Sequence, residues 1–138
     1  MEIDEITGII IEKAMEIHKN LGPGLLESVY ESVLCKLLEN SGLVVECQKP
    51  VDFVYEGLQF REGFKVDLLV ENKVAVELKS VEKIAPVHPK QLLTYLRLLN
   101  LEVGLLINFG GATLKEGVQR VVNHHAPSDS ALWINQLP

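Results

Sequence analysis

Residues Lys65–Lys79 read KVDLLVENKVAVELK, and this stretch decides the fold. It divides into two short strands around the polar turn Glu71-Asn72-Lys73. Val66, Leu68 and Val70 alternate with Lys65, Asp67 and Leu69. After the turn, Val74, Val76 and Leu78 alternate with Ala75, Glu77 and Lys79. Each strand therefore carries one apolar face. A three-residue turn sets Val70 opposite Val74, Leu68 opposite Val76 and Val66 opposite Leu78. Side chains alternate with period two, so the same register puts Asp67 opposite Glu77 and Lys65 opposite Lys79 on the other face.

Directly opposed like charges destabilise a sheet. A divalent cation between Asp67 and Glu77 would neutralise the acids, and a phosphate would satisfy the lysines. Hard oxygen ligands of this kind suit Mg or Mn. Spacing alone also allows a solvated hairpin face, on which Asp67 pairs diagonally with Lys79 and Glu77 with Lys65.

The chain has 138 residues, 47% of them hydrophobic and 23% charged, enough for one globular domain with a sizeable core. No apolar run approaches the roughly 18 residues needed to span a bilayer. The acidic start MEIDEITG lacks the basic and apolar regions of a signal peptide, which points to a cytoplasmic protein. In that setting, and with no CxxC, Cys35 and Cys47 are expected to be reduced. A net charge of -6 argues against a strong generic nucleic-acid binder but not against an enzyme whose metal ligands are themselves acidic.

Upstream of the hairpin, Ile3, Ile6, Ile10, Ala14, Ile17 and Leu21 follow helical spacing and predict an amphipathic helix over 3–20. His18 lies beside that stripe and is given no catalytic role. Leu21-Gly22-Pro23-Gly24 separates this helix from a second, whose broad apolar face runs from Leu25 to Leu38 and which stops at Ser41-Gly42. Glu27 falls in its first turn, either complementing the helix dipole or supplying a third carboxylate to the hairpin. Residues 43–64 are strand-rich, with turns expected at Lys49-Pro50 and Glu56-Gly57. Downstream, a helix is predicted from about Pro89 to Asn100, with Gln91 and Tyr95 sharing a face. Glu102–Phe109 reads as a buried central strand, and Thr113–Asn123 as a final helix. In the tail, 124–138, His124-His125 read as solvated, and Trp133 as a residue that docks the end onto the body or another subunit.

Four motifs now stand in order. Gly24–Tyr30 matches GxxExxY; Asp67 is followed by Glu77-Leu78-Lys79; Gln91–Tyr95 matches QxxxY; and GLLINFG spans Gly104 to Gly110. Together they resemble the GxxExxY family of the PD-(D/E)XK nuclease superfamily, over nearly the whole chain from about Ile3 to Asn123. The resemblance implies an α/β (α+β) fold, a restriction-endonuclease-like mixed β-sheet with flanking helices, in a single domain over 1–123.

It further implies that Asp67, Glu77 and the Leu78 carbonyl hold Mg, supported by Glu27. Lys79 then positions or activates the attacking water. Lys65, Gln91 and Tyr95 contact substrate. Two departures stand out: Lys65 occupies a position where the family usually has arginine, losing the planar fork, and Val66 replaces the proline of the superfamily's name. The implied function is Mg-dependent hydrolysis of nucleic-acid phosphodiesters, DNA favoured over RNA, with a homodimer as one arrangement. The alternative is a non-catalytic nucleic-acid- or protein-binding module that keeps the nuclease fold. No phosphate loop of the GxxxxGK[ST] type and no nucleophile with a paired base is present.

Overall fold

The spacing of Ile6, Ile10, Ala14 and Ile17 places all four on one helical face, and all four are buried in a computed structural model that describes residues 1–124. Helix α1 spans Ile3–Leu21. The Glu5 carboxylate accepts the Glu2 N–H at 3.4 Å, which satisfies one of the donors orphaned at a helix start. Gly22, with φ 74°, takes the conformation that ends it. Helix α2 spans Glu27–Asn40 and buries Tyr30, Leu34 and Leu38. Its apolar face is narrower than expected. Leu25 and Leu26 precede the helix and, like Val29, are exposed.

Five strands follow: β1 Val45–Tyr55, β2 Leu58–Val70, β3 Val74–Lys79, β4 Val103–Asn108 and β5 Val118–Val122, with α3, Val87–Leu99, between β3 and β4. They form one sheet in the order β1-β2-β3-β4-β5. Among the described residues only β3 and β4 pair in parallel, joined by the α3 crossover. The result is a mixed five-stranded sheet with flanking helices in a single domain, a restriction-endonuclease-like α+β architecture.

Its two faces hold two cores. Helices α1 and α2 cover Leu68, Val70, Val74, Val76 and Leu78, together with Leu105 and Ile107 of β4. On the opposite face α3 packs Leu92 and Leu96 against Val51, Val66, Ala75 and Leu106. Strand β4 contributes to both cores and is buried throughout, as its apolar run requires.

Four sequence expectations need correction. No turn interrupts Lys49-Pro50: β1 runs through both residues, opposite Val66 and Lys65. Strand β1 is an edge, so Pro50 can turn its missing N–H away from the ladder. Residues 113–123 form no helix but a short 3₁₀ turn, Lys115–Gly117, leading into β5, which pairs antiparallel with β4. Gly117 is needed there because a Cβ would collide with the Asn108 carbonyl. Val66 does not join Leu68 in the α1/α2 core; it lies in the α3 core. Cys35 and Cys47 are not reduced but form a disulfide, their Cα atoms 6.8 Å apart, because α2 packs over the start of β1. His124 is exposed, whereas His125, Trp133 and the rest of the tail lie outside the described residues.

Candidate active site

The hairpin register is the one that side-chain alternation predicts: Val70 faces Val74, Leu69 faces Ala75 and Leu68 faces Val76. Glu71 and Asn72, both with φ 53°, make the turn, and Lys73 N–H closes it onto the Val70 carbonyl at 3.0 Å. Backbone pairing stops at Leu68 and Val76. Beyond that point two carboxylates take over the bonding. Asp67 Oδ2 accepts the Leu78 N–H at 2.8 Å, and Glu77 Oε2 accepts the Asp67 N–H at 3.2 Å.

The acids are therefore brought together by the backbone, with Val66 and Leu68 anchored in opposite cores on either side of Asp67. Opposite Asp67 on β1, Gln48 adopts a left-handed φ of 52°. Its amide donates to Asp67 Oδ1 at 3.2 Å and to Glu31 Oε2 at 2.8 Å.

Electrostatically the cluster is short of positive charge. Burial, then hydrogen bonding and repulsion from Asp67, push the Glu77 carboxyl up to about 9, against a smaller opposing pull from Lys79. Burial likewise raises Glu31, helped by Asp67 and Glu27 and opposed by the Gln48 hydrogen bond. Tyr95 is raised by burial and then by the charges of Glu77 and Asp67, which places its hydroxyl within their field. A buried carboxyl raised in this way beside a second carboxylate makes the cluster a functional-site candidate.

Glu27 enters from the other side. Its Oε2 accepts the Ser80 N–H at 3.3 Å, one residue beyond Lys79, and Ser80 Oγ donates to the Leu25 carbonyl at 2.6 Å. Tyr30 fixes the same loop, donating to the Gly22 carbonyl at 2.6 Å and accepting the Leu25 N–H at 3.2 Å. Its ring stacks on Phe109 at 4.4 Å. An open cleft of about 670 Å³ lies between this loop and Ser80–Glu82, with Glu27 in its wall.

Of the residues singled out from sequence, Asp67, Glu77, Lys79 and Tyr95 converge, and Glu27 joins them through Ser80. Gln91 is exposed on α3, and Lys65 is exposed and in no ion pair among the described residues. Sequence reasoning missed Gln48, Glu31 and Ser80. Glu31 follows Glu27 by one helical turn, a usable signal, whereas nothing local marks Gln48. His18 is structural: its Nε2 lies 3.0 Å from the Gly111 carbonyl. Among the described residues, no three His, Cys, Asp or Glu side chains are grouped as a ready-made metal cage. The donor set is instead two carboxylates, each accepting a backbone N–H across the hairpin, with the Leu78 backbone directly after Glu77 in sequence.

A mixed sheet whose central hairpin splays at an acid pair, with a lysine two residues on, defines a class of α+β proteins built around a sheet-borne acidic site. Residues 4–121 match the model of the PD-(D/E)XK nuclease superfamily, and the chain belongs to that superfamily. A solved structure titled "Crystal structure of SSO0001" is 18% identical, covers 94% of this chain and 82% of its own, and superposes with a TM-score of 0.45. No curated protein matches the sequence.

Proposed function

We propose that this protein is a Mg-dependent nuclease of the GxxExxY branch, hydrolysing phosphodiester bonds of nucleic acid, DNA in preference to RNA. The observation that carries this reading is the contact between Asp67 and Glu77 beside Lys79, on the hairpin of a chain that belongs to a nuclease superfamily. Two hard carboxylates, one pushed up to about 9 chiefly by burial and then by its neighbour Asp67, fit a divalent cation that keeps several waters. Asp67, Glu77 and the Leu78 carbonyl would hold Mg, or Mn in its place, with Glu27 supporting the site. When bound, the ion supplies Lewis acidity to the scissile phosphate.

The chain's own groups do the rest. The Lys79 ammonium orients the attacking water and offsets negative charge developing on the phosphate. Asp67, held by the Leu78 N–H and the Gln48 amide, keeps its carboxylate fixed through the reaction. Tyr95 lines the site at the α3 side. Gln91 and Lys65, both exposed, contact the phosphate backbone as it enters. Cutting both strands of a duplex takes two such sites, which a homodimer would supply.

The test is a panel of labelled DNA and RNA, single and double stranded, incubated with Mg or Mn. Wild type cleaves, and Lys79→Ala lowers the rate by about 10²–10³-fold while the thermal midpoint is kept. Cleavage by Asp67→Asn and Lys79→Ala at the wild-type rate would assign the activity to a contaminant. The second reading, a non-catalytic binding module, is favoured by one observation: both Asp67 oxygens already have protein donors. Calorimetry separates the two. Mg binding that disappears in Asp67→Asn supports the enzyme, and nucleic-acid binding indifferent to metal supports the module.

A further inference from the structure

The seam between α2 and β1 is closed twice. Cys35 of α2 and Cys47 of β1 form the disulfide. One turn earlier on the same face of α2, the Glu31 carboxylate accepts the side-chain amide of Gln48, the residue next to Cys47, at 2.8 Å. The same amide nitrogen donates to Asp67 Oδ1 at 3.2 Å. Both partners are carboxylates, which only accept, so it is the nitrogen and not the oxygen of the amide that sits between them. The disulfide and the acid pair are therefore linked through one residue.

Both strands change faces at that residue. Cys47 stands opposite Leu68, and Lys49 opposite Val66. Leu68 and Val66 are two apart, a spacing that keeps one face in a regular strand, yet they lie in opposite cores. On β1, Cys47 is bonded to α2, while Val51, four residues on, packs in the α3 core. The crossing falls at Gln48 and Asp67, and Gln48 makes it in a left-handed conformation, φ 52°, that a β-carbon disfavours. Such a conformation persists only where its surroundings hold it. Gln48 is exposed, so its hydrogen bonds compete with water. The covalent tie at the preceding residue is what makes them last.

We infer that the Cys35–Cys47 disulfide is a redox-sensitive clamp on the acid pair: through Gln48 it fixes Asp67, and a cation binds Asp67 and Glu77 more tightly with the bridge closed than open. The cation rests on the nuclease reading, whereas the clamp rests on this seam alone. Cys47 is exposed and Cys35 half-buried, so a dithiol reductant can reach the bridge. Its thiolate attacks Cys47 Sγ and expels the Cys35 thiolate. Its second thiol then displaces Cys47. Two cysteine thiols and one oxidised dithiol result, two electrons and two protons having passed to the protein. With the bridge open, Gln48 relaxes toward ordinary strand geometry and Asp67 Oδ1 loses its donor. Asp67 keeps the Leu78 N–H on Oδ2, so it turns about that bond without leaving the site, and the effect is graded.

The experiment pairs calorimetric titration with Mg and the NMR amide signal of Leu78 in EDTA, each recorded on oxidised and dithiothreitol-reduced protein well below the melting midpoint. Leu78 lies two strands from Cys47, and its N–H bonds to Asp67, so it reports the acid and not the bridge. Reduction of wild type should shift the Leu78 signal and weaken Mg binding about tenfold, the measure of one hydrogen bond. Gln48→Ala should show both changes with the bridge intact, and its reduction should add little to either. Cys35→Ser/Cys47→Ser should match reduced wild type with or without dithiothreitol. A Leu78 signal that ignores reduction in wild type overturns the inference. So does a reduction effect of full size in Gln48→Ala, which would assign it to general loosening. Should the reduced chain unfold, oxidised Gln48→Ala decides, and a Leu78 signal there equal to wild type overturns the clamp. Mg binding with a redox-independent Leu78 signal removes the clamp and leaves the cation site. A redox-dependent Leu78 signal without Mg binding removes the cation site and leaves the clamp.

Discussion

The tyrosine of the GxxExxY motif acts on structure, not on chemistry. Fully buried, Tyr30 uses its hydroxyl to tie the Gly22 carbonyl to the Leu25 N–H, and its ring fills the space against Phe109. The loop so fixed delivers Glu27 to Ser80. Tyr30→Phe leaves a backbone donor and an acceptor without that partner, which costs about 1–3 kcal/mol. We expect urea unfolding to show a lower midpoint at unchanged slope. Any nuclease activity should fall less than in Lys79→Ala, since the acids stay in place. A midpoint equal to wild type would mean that water replaces the hydroxyl fully. The spacing of Gly24, Glu27 and Tyr30 was legible in the sequence, but the tyrosine's task was not, because its partner Gly22 lies outside the motif.

At the scale of elements, the hairpin was the most legible part of the chain. Period-two alternation across a three-residue turn admits one register that buries the valines, and that register is found from Leu68 to Val70. Beyond Leu68 the pairing does not continue, so the expected partners Asp67 and Glu77, Val66 and Leu78, and Lys65 and Lys79 are not paired; there the left-handed Gln48 on β1 lies across from Asp67 and the strand passes from one core to the other. Strand β5 was misread because Val118, Val121 and Val122 also fit helical spacing. The free edge of β4 decides it, an influence no local window contains. Pairing of Cys35 with Cys47 was equally invisible, since it depends on how α2 lies over β1. That bridge closes a short loop with a sequence separation of 12. By loop entropy it contributes about 3 kcal/mol. Dithiothreitol should therefore lower the urea midpoint of wild type and leave Cys35→Ser/Cys47→Ser unmoved. Equal sensitivity of both proteins would remove the bridge from the account of stability.

The whole molecule holds its acid pair against an electrostatic cost, and that cost can be read through pH. The Glu77 carboxyl titrates at an ordinary value in the unfolded chain, from a reference of 4.5, and at about 9 in the folded one, chiefly through burial. Between those values the folded state keeps a proton that the unfolded state releases, so stability is fully present below the lower value and is lost as pH rises through the upper. In EDTA the wild type should melt at a lower temperature at pH 8 than at pH 5. Glu77→Gln, which cannot ionise, should be flatter and more stable than wild type at pH 8, by a difference on the order of a few kcal/mol. Mg opposes the same cost by releasing that proton, so its addition should raise the wild-type midpoint more at pH 8 than at pH 5 and leave Glu77→Gln nearly unmoved. Parallel melting profiles for wild type and Glu77→Gln across this range, with or without Mg, would show that the pair carries no such burden and would remove the reason for a cation to bind there.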